Sequence, residues 1–268
     1  MNGGGDLLEV ITTLQANALL FGLMLVRVTA MFASAPVLGS RTMPVRVRVG
    51  LAVIVTLSSL PLVADGTHQI PESTVAYVLL AAKEVLIGVM IGFIAQTVFA
   101  AVQLAGSFID TGAGFAIAQT IDPTSNINLT MLGRVYSLIA TAAFIAIGGH
   151  LWLIKAVVAS FALAPPTELP NTIAMTQGVL VRADDLFVIS LQIAAPLMAA
   201  LLITDVALGI MSRAAPQMNV FIVGLPVKVG VALVGSAVLL PAFATLLNGL
   251  SSQMIEDLSH ILQATGGG

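Results

Sequence analysis

Long apolar runs separated by short polar stretches account for most of the chain. They cover approximately residues 17–39, 46–63, 75–109, 135–163, 186–211 and 220–250. A helix rises about 1.5 Å per residue and needs about 20 residues to cross a bilayer core, so each run is of membrane-spanning size. The runs are too long for barrel strands and lack their alternation. The pattern therefore predicts an all-α, membrane-associated protein with bent and broken hydrophobic helices.

Composition strengthens this prediction. Of the 268 residues, 58 % are hydrophobic and only 9 % are charged, with a mean hydropathy of +1.04. A soluble domain usually carries about 25 % charged residues, because its surface faces water. Most of this surface must therefore face lipid or other apolar subunits. The net charge of −3 gives no basic field for nucleic acid, and the absence of cysteine excludes thiolate metal sites.

The sequence carries no recognisable enzyme signature. Its three histidines, His68, His150 and His260, lie far apart in the chain. There is no His-Glu-x-x-His pair, no phosphate-binding Gly-Lys loop, no dinucleotide-binding glycine pattern and no Gly-x-Ser-x-Gly turn. We therefore expect a protein without catalytic residues, cofactor or metal.

Charged residues within the apolar runs are the first group of candidate functional positions. Each costs about 2.5–3.5 kcal/mol or more at a helix centre unless it is paired or hydrated. They are Arg27, Lys83, Glu84, Asp110, Lys155 and Asp205. Such groups could form an ion relay, or they could lie at helix ends, in intersubunit pairs or beside a wet cavity. Lys83 and Glu84 are adjacent, so we expect them to face different sides of their helix and to have different partners.

Small residues and prolines suggest a second group, at helix contacts or subunit interfaces. Gly88 and Gly92 form a Gly-x-x-x-Gly motif, which allows two helices to approach closely. A weak internal similarity at an offset of 180 residues aligns Pro36 with Pro216 and Gly50 with Gly230. It is compatible with an internal repeat, a common feature of membrane proteins.

A glycine-rich stretch, approximately residues 106–128, forms the third candidate. It contains Gly106, Gly112 and Gly114 and ends with the turn-forming pair Asp122-Pro123. This composition predicts a loop or broken helix, and irregular backbone at membrane depth must be buried in protein or line a wet cavity. The stretch could thus be a plug, part of a lumen or a binding site. The alternative is an ordinary surface loop.

Several ordered sequence landmarks together resemble one known family. Residues 27–39, with Arg-Val-x-x-Met-Phe-x-x-Ala-Pro-Val-Leu-Gly, and residues 43–52 resemble the N-terminal signature of the FliR family of flagellar export proteins. Residues 149–154, 205–209 and 213–228 resemble later landmarks in the same order. Residues 191–228 are also similar to the helical hairpin of the small gate subunit FliQ.

The resemblance implies a subunit of the flagellar type III export gate. It implies a FliP-like part at 1–180 with a plug loop at about 105–128, a FliQ-like hairpin at 181–255 and a polar tail at 256–268. The implied partners are FliP, FliQ, FlhB at the entrance, unfolded flagellar proteins and membrane lipid, in the flagellar basal body of the bacterial inner membrane. The plug role falls on Gly106, Gly112, Gly114, Phe115 and Asp122.

Two alternatives remain at this stage. A secondary transporter or ion channel acting alone would use the intramembrane charges as its substrate or ion site. A virulence-type export subunit of the same superfamily would differ only in the proteins that it exports.

Overall fold

The described part of the protein is helical. A computed structural model describes residues 3–40, 43–64, 73–115, 131–168, 172–217, 219, 222–239, 245 and 249, with backbone alone for 3–10 and 172–184. The helices are α1 Gly3–Ser34, α2 Val45–Val63, α3 Thr74–Ala113, α4 Met131–Ala146, α5 Gly149–Leu163, α6 Thr172–Ala214 and α7 Ile222–Leu239. No strand occurs among these residues. The predicted all-α class is confirmed.

Five segments are long and apolar enough to cross a membrane. They are Ile11–Ser34, Val45–Val63, Thr74–Ala113, Asp185–Ala214 and Ile222–Leu239. The run from Met131 to Leu163 is bent at a short break between α4 and α5 and could form one further span. These findings confirm the prediction of a membrane protein with bent and broken apolar helices.

Helix ends lie where the sequence supplies residues that leave the helical conformation. α2 follows Pro44, which adopts an extended conformation (φ −57°, ψ 135°), and proline is well tolerated just before a helix. Gly148 has φ 75° and separates α4 from α5. After α1, the chain turns sharply at Val37, whose φ of 66° is unusual for a β-branched residue.

The chain is organised in two compact units. Within the described residues, the first comprises the chain up to Gln96 together with residues from Gly148 to Val181, and the second comprises Thr97 to Ile147 and the chain from Arg182 onward. The helix α3 contributes its first half to one unit and its second half to the other. The FliP-like part at 1–180, the FliQ-like hairpin at 181–255 and the tail at 256–268 stay predictions.

In the first unit, α1 packs against α2 and α5. The buried side chains of α1 recur at helical spacing, as expected for a helix with one face in a core. They are Leu20, Leu23, Met24, Arg27, Val28, Met31 and Phe32. A single arginine thus lies within an otherwise apolar buried face.

The second unit has its own core around the second half of α3 and α4. The rings of Phe99 and Phe144 meet edge to face with centroids 5.3 Å apart. Buried residues of α4 recur every fourth position at Leu132, Tyr136, Ala140 and Phe144. The Tyr136 hydroxyl lies 3.0 Å from the Ser236 hydroxyl, which links α4 to α7.

Candidate functional site

The buried arginine of α1 is fully hydrogen-bonded. Nε and Nη2 of Arg27 donate to the two carboxylate oxygens of Glu84 on α3. Nη1 donates to the carbonyl and hydroxyl oxygens of Ser160, both at 2.9 Å, and Nη2 also donates to the carbonyl of Ala164 at 2.7 Å. The guanidinium also lies 4.6 Å from the centre of the Phe161 ring. All five N–H groups of the arginine therefore have acceptors.

The neighbouring lysine binds the segment that follows α5. Nζ of Lys83 donates to the carbonyl oxygens of Pro165, Pro166 and Glu168 at 2.9, 2.9 and 2.8 Å. It also lies 2.7 Å from Oε1 of Glu84. Lys83 and Glu84 thus have different main partners but also contact each other. Their adjacent positions on the helix did not predict this contact. It forms because a lysine side chain is long enough to fold back towards its neighbour.

These residues form what we call the charge cluster: Arg27, Lys83, Glu84 and the backbone oxygens of 160–168. The two cations exceed the single carboxylate, and the excess positive charge faces the carbonyl end of α5, where the helix dipole is negative. Breaking such a buried pair costs more than breaking an exposed one, because it leaves a charge without compensation. The cluster therefore ties α1 and α3 to the end of α5.

The Gly-x-x-x-Gly motif brings α1 and α3 close enough for the cluster to form. A methyl group on Gly88 would overlap the carbonyl oxygen of Arg27, and one on Gly92 would overlap the hydroxyl of Ser34. The two backbones are thus in direct contact at this crossing. Pro36, another residue of this group, is buried in the turn after α1.

The glycine-rich stretch begins as regular helix. Because α3 continues to Ala113, the expectation of a loop or broken helix is wrong for residues 105–113. Gly106 and Gly112 permit close contacts instead: a methyl group on Gly106 would overlap Gly133, and one on Gly112 would lie 3.1 Å from the Leu201 side chain. The sequence suggested a break because glycine is unfavourable in helices unless packing requires it.

The regular helix ends at the third glycine of the stretch. Gly114 has φ 89°, and its N–H donates to the carbonyl of Thr111 while that of Phe115 donates to the carbonyl of Asp110. This pair of hydrogen bonds is a Schellman cap, in which glycine takes the left-handed position. Asp122 lies outside the described residues.

The side chain of Asp110 reaches the start of α4. Its carboxylate is buried and accepts the backbone N–H of Leu132 at 3.0 Å and, at 3.5 Å, that of Gly133. These N–H groups are in the first turn of α4 and have no acceptor within the helix. Asp110 therefore caps a helix that follows it by more than twenty residues.

The C-terminal candidates lie on exposed surfaces of the second unit. Asp205 on α6 pairs with Lys228 on α7 at 2.8 Å, and the Asp205 side chain is half exposed. Pro216 and Gly230 are exposed, and none of the described atoms lies within 4 Å of a methyl group built on Gly230. The described residues therefore provide no packing partner at Gly230.

Sequence reasoning missed the acceptors of the charge cluster. Ser160 and the carbonyl oxygens of 164–168 carry no charge, so the sequence offered little signal beyond the consecutive prolines 165 and 166. Exposed Lys155 stacks on Trp152, with Nζ 4.7 Å from the ring centre. Within the described residues, no group of three His, Asp or Glu side chains could hold a metal ion.

Comparison with known proteins identifies the family. The profile of the bacterial export proteins, family 1, matches residues 18–254, which is most of the chain. The chain belongs to this family. The match includes the charge cluster, the Gly-x-x-x-Gly crossing, the glycine-rich stretch and the α6–α7 pair.

Individual relatives support the same assignment. The chain is 34 % identical over 242 residues to the flagellar biosynthetic protein FliR of Escherichia coli K12, covering 89 % of this chain and 90 % of the relative. It is 32 % identical over 252 residues to FliR of Bacillus subtilis 168, covering 92 % and 95 %. It is also 28 % identical over 222 residues to the Yop proteins translocation protein T of Yersinia pestis, covering 82 % and 85 %. The predicted FliR resemblance is confirmed.

Proposed function

We propose that this family member is a subunit of the flagellar type III protein export gate. With FliP and FliQ it forms the channel through which unfolded flagellar proteins cross the bacterial inner membrane, with FlhB at the entrance and the flagellar basal body around it. Its role is structural, without a reaction or cofactor of its own. The observation that carries the proposal is the similarity to FliR over about nine tenths of both chains.

The exposed apolar surface supports a role within an assembly. In their most apolar stretches, only 17 % of α2 and 11 % of α7 is buried, against 61 % of α3. Large side chains such as Ile54 and Val234 are mostly exposed. Apolar surface on this scale requires cover by lipid or by other subunits. Docking against FliP and FliQ supplies that cover.

The subunit assembly can be tested by native mass spectrometry of a gentle detergent extract. We expect the chain to be recovered in a complex with small apolar subunits and to be unstable when it is produced alone, because its apolar helices lose their cover. Recovery of a stable monomer that transports a small solute would contradict the proposal.

The rival function is a transporter that acts alone. Neutralising the intramembrane aspartates distinguishes it from a gate subunit. The transporter predicts a solute flux that is lost in Asp110→Asn or Asp205→Asn. The gate predicts no such flux in the reconstituted single chain, with or without these changes. Flux into proteoliposomes that contain only this chain is the measurement.

The higher identity to FliR than to the virulence-type relative favours a flagellar system. We expect the gene to restore swimming, at least partly, to an Escherichia coli strain without its own FliR. Restoration of virulence-type secretion alone, in a strain without translocation protein T, would favour the other system.

We propose further that the glycine-rich stretch closes the channel as a plug, the role assigned to Gly106, Gly112, Gly114, Phe115 and Asp122. Support comes from the end of α3, which terminates in a glycine cap at Gly114. Deleting residues 112–126 should give an assembled but leaky gate. A deletion of 116–126 is cleaner, because it spares the packed end of α3.

The effect of the plug deletion is measured as the ion or small-solute permeability of the assembled complex. Thr111→Val is a matched control, since its exposed hydroxyl bonds only Ser107 of its own helix among the contacts described. Unchanged permeability in a correctly assembled deletion complex would remove the plug role while leaving membership of the gate intact.

A further inference from the structure

Four oxygen atoms surround the ammonium group of Lys83. Three are the carbonyl oxygens of Pro165, Pro166 and Glu168, at 2.9, 2.9 and 2.8 Å from Nζ. The fourth is Oε1 of Glu84, at 2.7 Å. We call these four atoms the oxygen cage. An ammonium has three N–H groups, so four close oxygens exceed its single hydrogen bonds and surround it as they would a cation.

The sequence after α5 supplies the carbonyl oxygens of the cage. The N–H of Glu168 donates to the carbonyl of Pro165 at 3.2 Å, which closes a tight turn over residues 165–168. Proline has no N–H and a fixed φ, so Pro165 and Pro166 offer acceptors without a donor of their own. The restricted backbone also lowers the entropy lost when the turn forms. The local sequence therefore favours three carbonyl oxygens that converge on one point.

The dimensions and charge of the cage suit a monovalent cation. Oxygen ligands lie at about 2.3–2.6 Å from calcium and at about 2.0–2.1 Å from magnesium. All four cage oxygens lie farther than this from Nζ of Lys83. The cage holds a single carboxylate, and Glu84 shares it with Arg27. Carbonyl oxygens replace the hydration shell of K⁺ in channels, so ammonium and K⁺ fit this donor set best.

We propose that the oxygen cage is a monovalent-cation site that the chain fills with its own lysine. Lys83 is then a positioning residue, which holds the turn over residues 165–168 against α3. A free ion in this site would stabilise the fold only as far as its concentration allowed. A tethered ammonium removes that dependence, which suits a protein in a membrane that separates different ion concentrations. The inference does not depend on the proposed export function.

Hydrogen exchange with chemical rescue tests the cage in the full chain within its assembled complex. Lys83→Ala removes the ammonium and opens the space that the lysine stem occupied. The Glu168 amide closes the turn, so its exchange should become about tenfold faster or more in this variant. Ammonium chloride and potassium chloride should each slow it to within about threefold of wild type, because their cations enter the vacated cage.

Tetramethylammonium chloride at the same ionic strength separates cage binding from a general salt effect. Its cation is too large for oxygens at these distances and should leave the Lys83→Ala exchange rate fast. Wild type should exchange at the same rate in all three salts, since its cage is already filled. Lys155→Ala is the matched control: it removes an exposed lysine of α5 and should leave the Glu168 amide unchanged in every salt.

Three results would overturn the proposal. One is fast exchange in Lys83→Ala that neither ammonium nor K⁺ slows, and another is equal rescue by tetramethylammonium. The third is unchanged exchange of the Glu168 amide in Lys83→Ala without added cation. Where Lys83→Ala is not recovered as a folded complex, recovery becomes the measurement. It should improve when ammonium replaces tetramethylammonium during extraction, and equal failure in both would reject the cage.

Discussion

At the scale of single residues, hydrogen-bond capacity explains why the charge cluster uses an arginine on α1. The guanidinium of Arg27 binds the carboxylate of Glu84 with two donors and uses the others on Ser160 and Ala164. A lysine has three donors and no planar fork, so it cannot reproduce this set. The residue type follows from the number and direction of acceptors around it.

Replacing this arginine by lysine should destabilise the first unit. We expect Arg27→Lys to lower the free energy of unfolding by about 2 kcal/mol or more, because acceptors that were bound to a charged group lose their donors in a buried site. Fluorescence of Trp152, the single tryptophan of the chain, reports unfolding of α5.

The matched control for this substitution is Arg134→Lys, which changes an exposed arginine on α4 in the same way. It should alter stability by less than about 0.5 kcal/mol. Equal effects of the two substitutions would show that the buried hydrogen bonds of Arg27 contribute no special stability.

At the scale of helices, glycine acts in two opposite ways. In the middle of α3, Gly88 and Gly92 lie where α1 leaves no room for a side chain. On α6 and α7, a methyl group on Gly209 or Gly230 would meet nothing within 4 Å among the described residues. Packing against α1 explains Gly88 and Gly92. Packing among the described residues does not explain Gly209 and Gly230, as expected if other subunits cover these faces.

Adding a methyl group should therefore have opposite effects at two glycines. Gly88→Ala should destabilise the fold by about 1–3 kcal/mol, because the methyl overlaps the α1 backbone and the helices must separate. Gly209→Ala should instead be neutral or stabilise α6 by up to about 1 kcal/mol, since alanine favours helix.

Thermal unfolding of the two alanine variants, measured in the same detergent, checks this prediction. Loss of stability at Gly209 equal to that at Gly88 would contradict the packing explanation. A normal fold with poor recovery of partners in Gly209→Ala would indicate that α6 is a docking face.

At the scale of the whole molecule, the main feature is the apolar surface that the described residues leave exposed. The partly exposed ion pair between Asp205 and Lys228 lies among exposed apolar residues such as Leu202 and Val206. An ion pair facing lipid tails would be costly, so contact with protein or water at this position is more favourable. Faces of this kind fit a subunit within a larger assembly.

Site-specific photo-crosslinking distinguishes protein cover from lipid cover. A photoreactive amino acid replacing Ile54 on α2 or Val234 on α7 should yield adducts with other gate subunits, because both side chains are mostly exposed on the described part of the chain. The cross-linked bands are identified by mass spectrometry. Exclusive formation of lipid adducts at both positions would contradict a docking role for these faces.

Periodicity and composition were sufficient for the broad prediction, but not for the local structure. The apolar runs gave the all-α class and the spans, because a chain with few charges has few other stable arrangements in a membrane. They did not show that residues 105–113 continue α3. Glycine is compatible with both a loop and a tight helix contact, and only the position of Gly133 decides between them.

The sequence by itself determined that this protein is helical, membrane-embedded and a member of an export family, because these properties depend on runs of residue type and on ordered landmarks along the chain. The tertiary structure alone decided which partners the buried charged side chains bind. Arg27 and Glu84 are 57 residues apart, and Asp110 and Leu132 are 22 apart. Such pairings depend on where helices cross, and crossing positions follow from three-dimensional packing of small residues rather than from spacing along the chain.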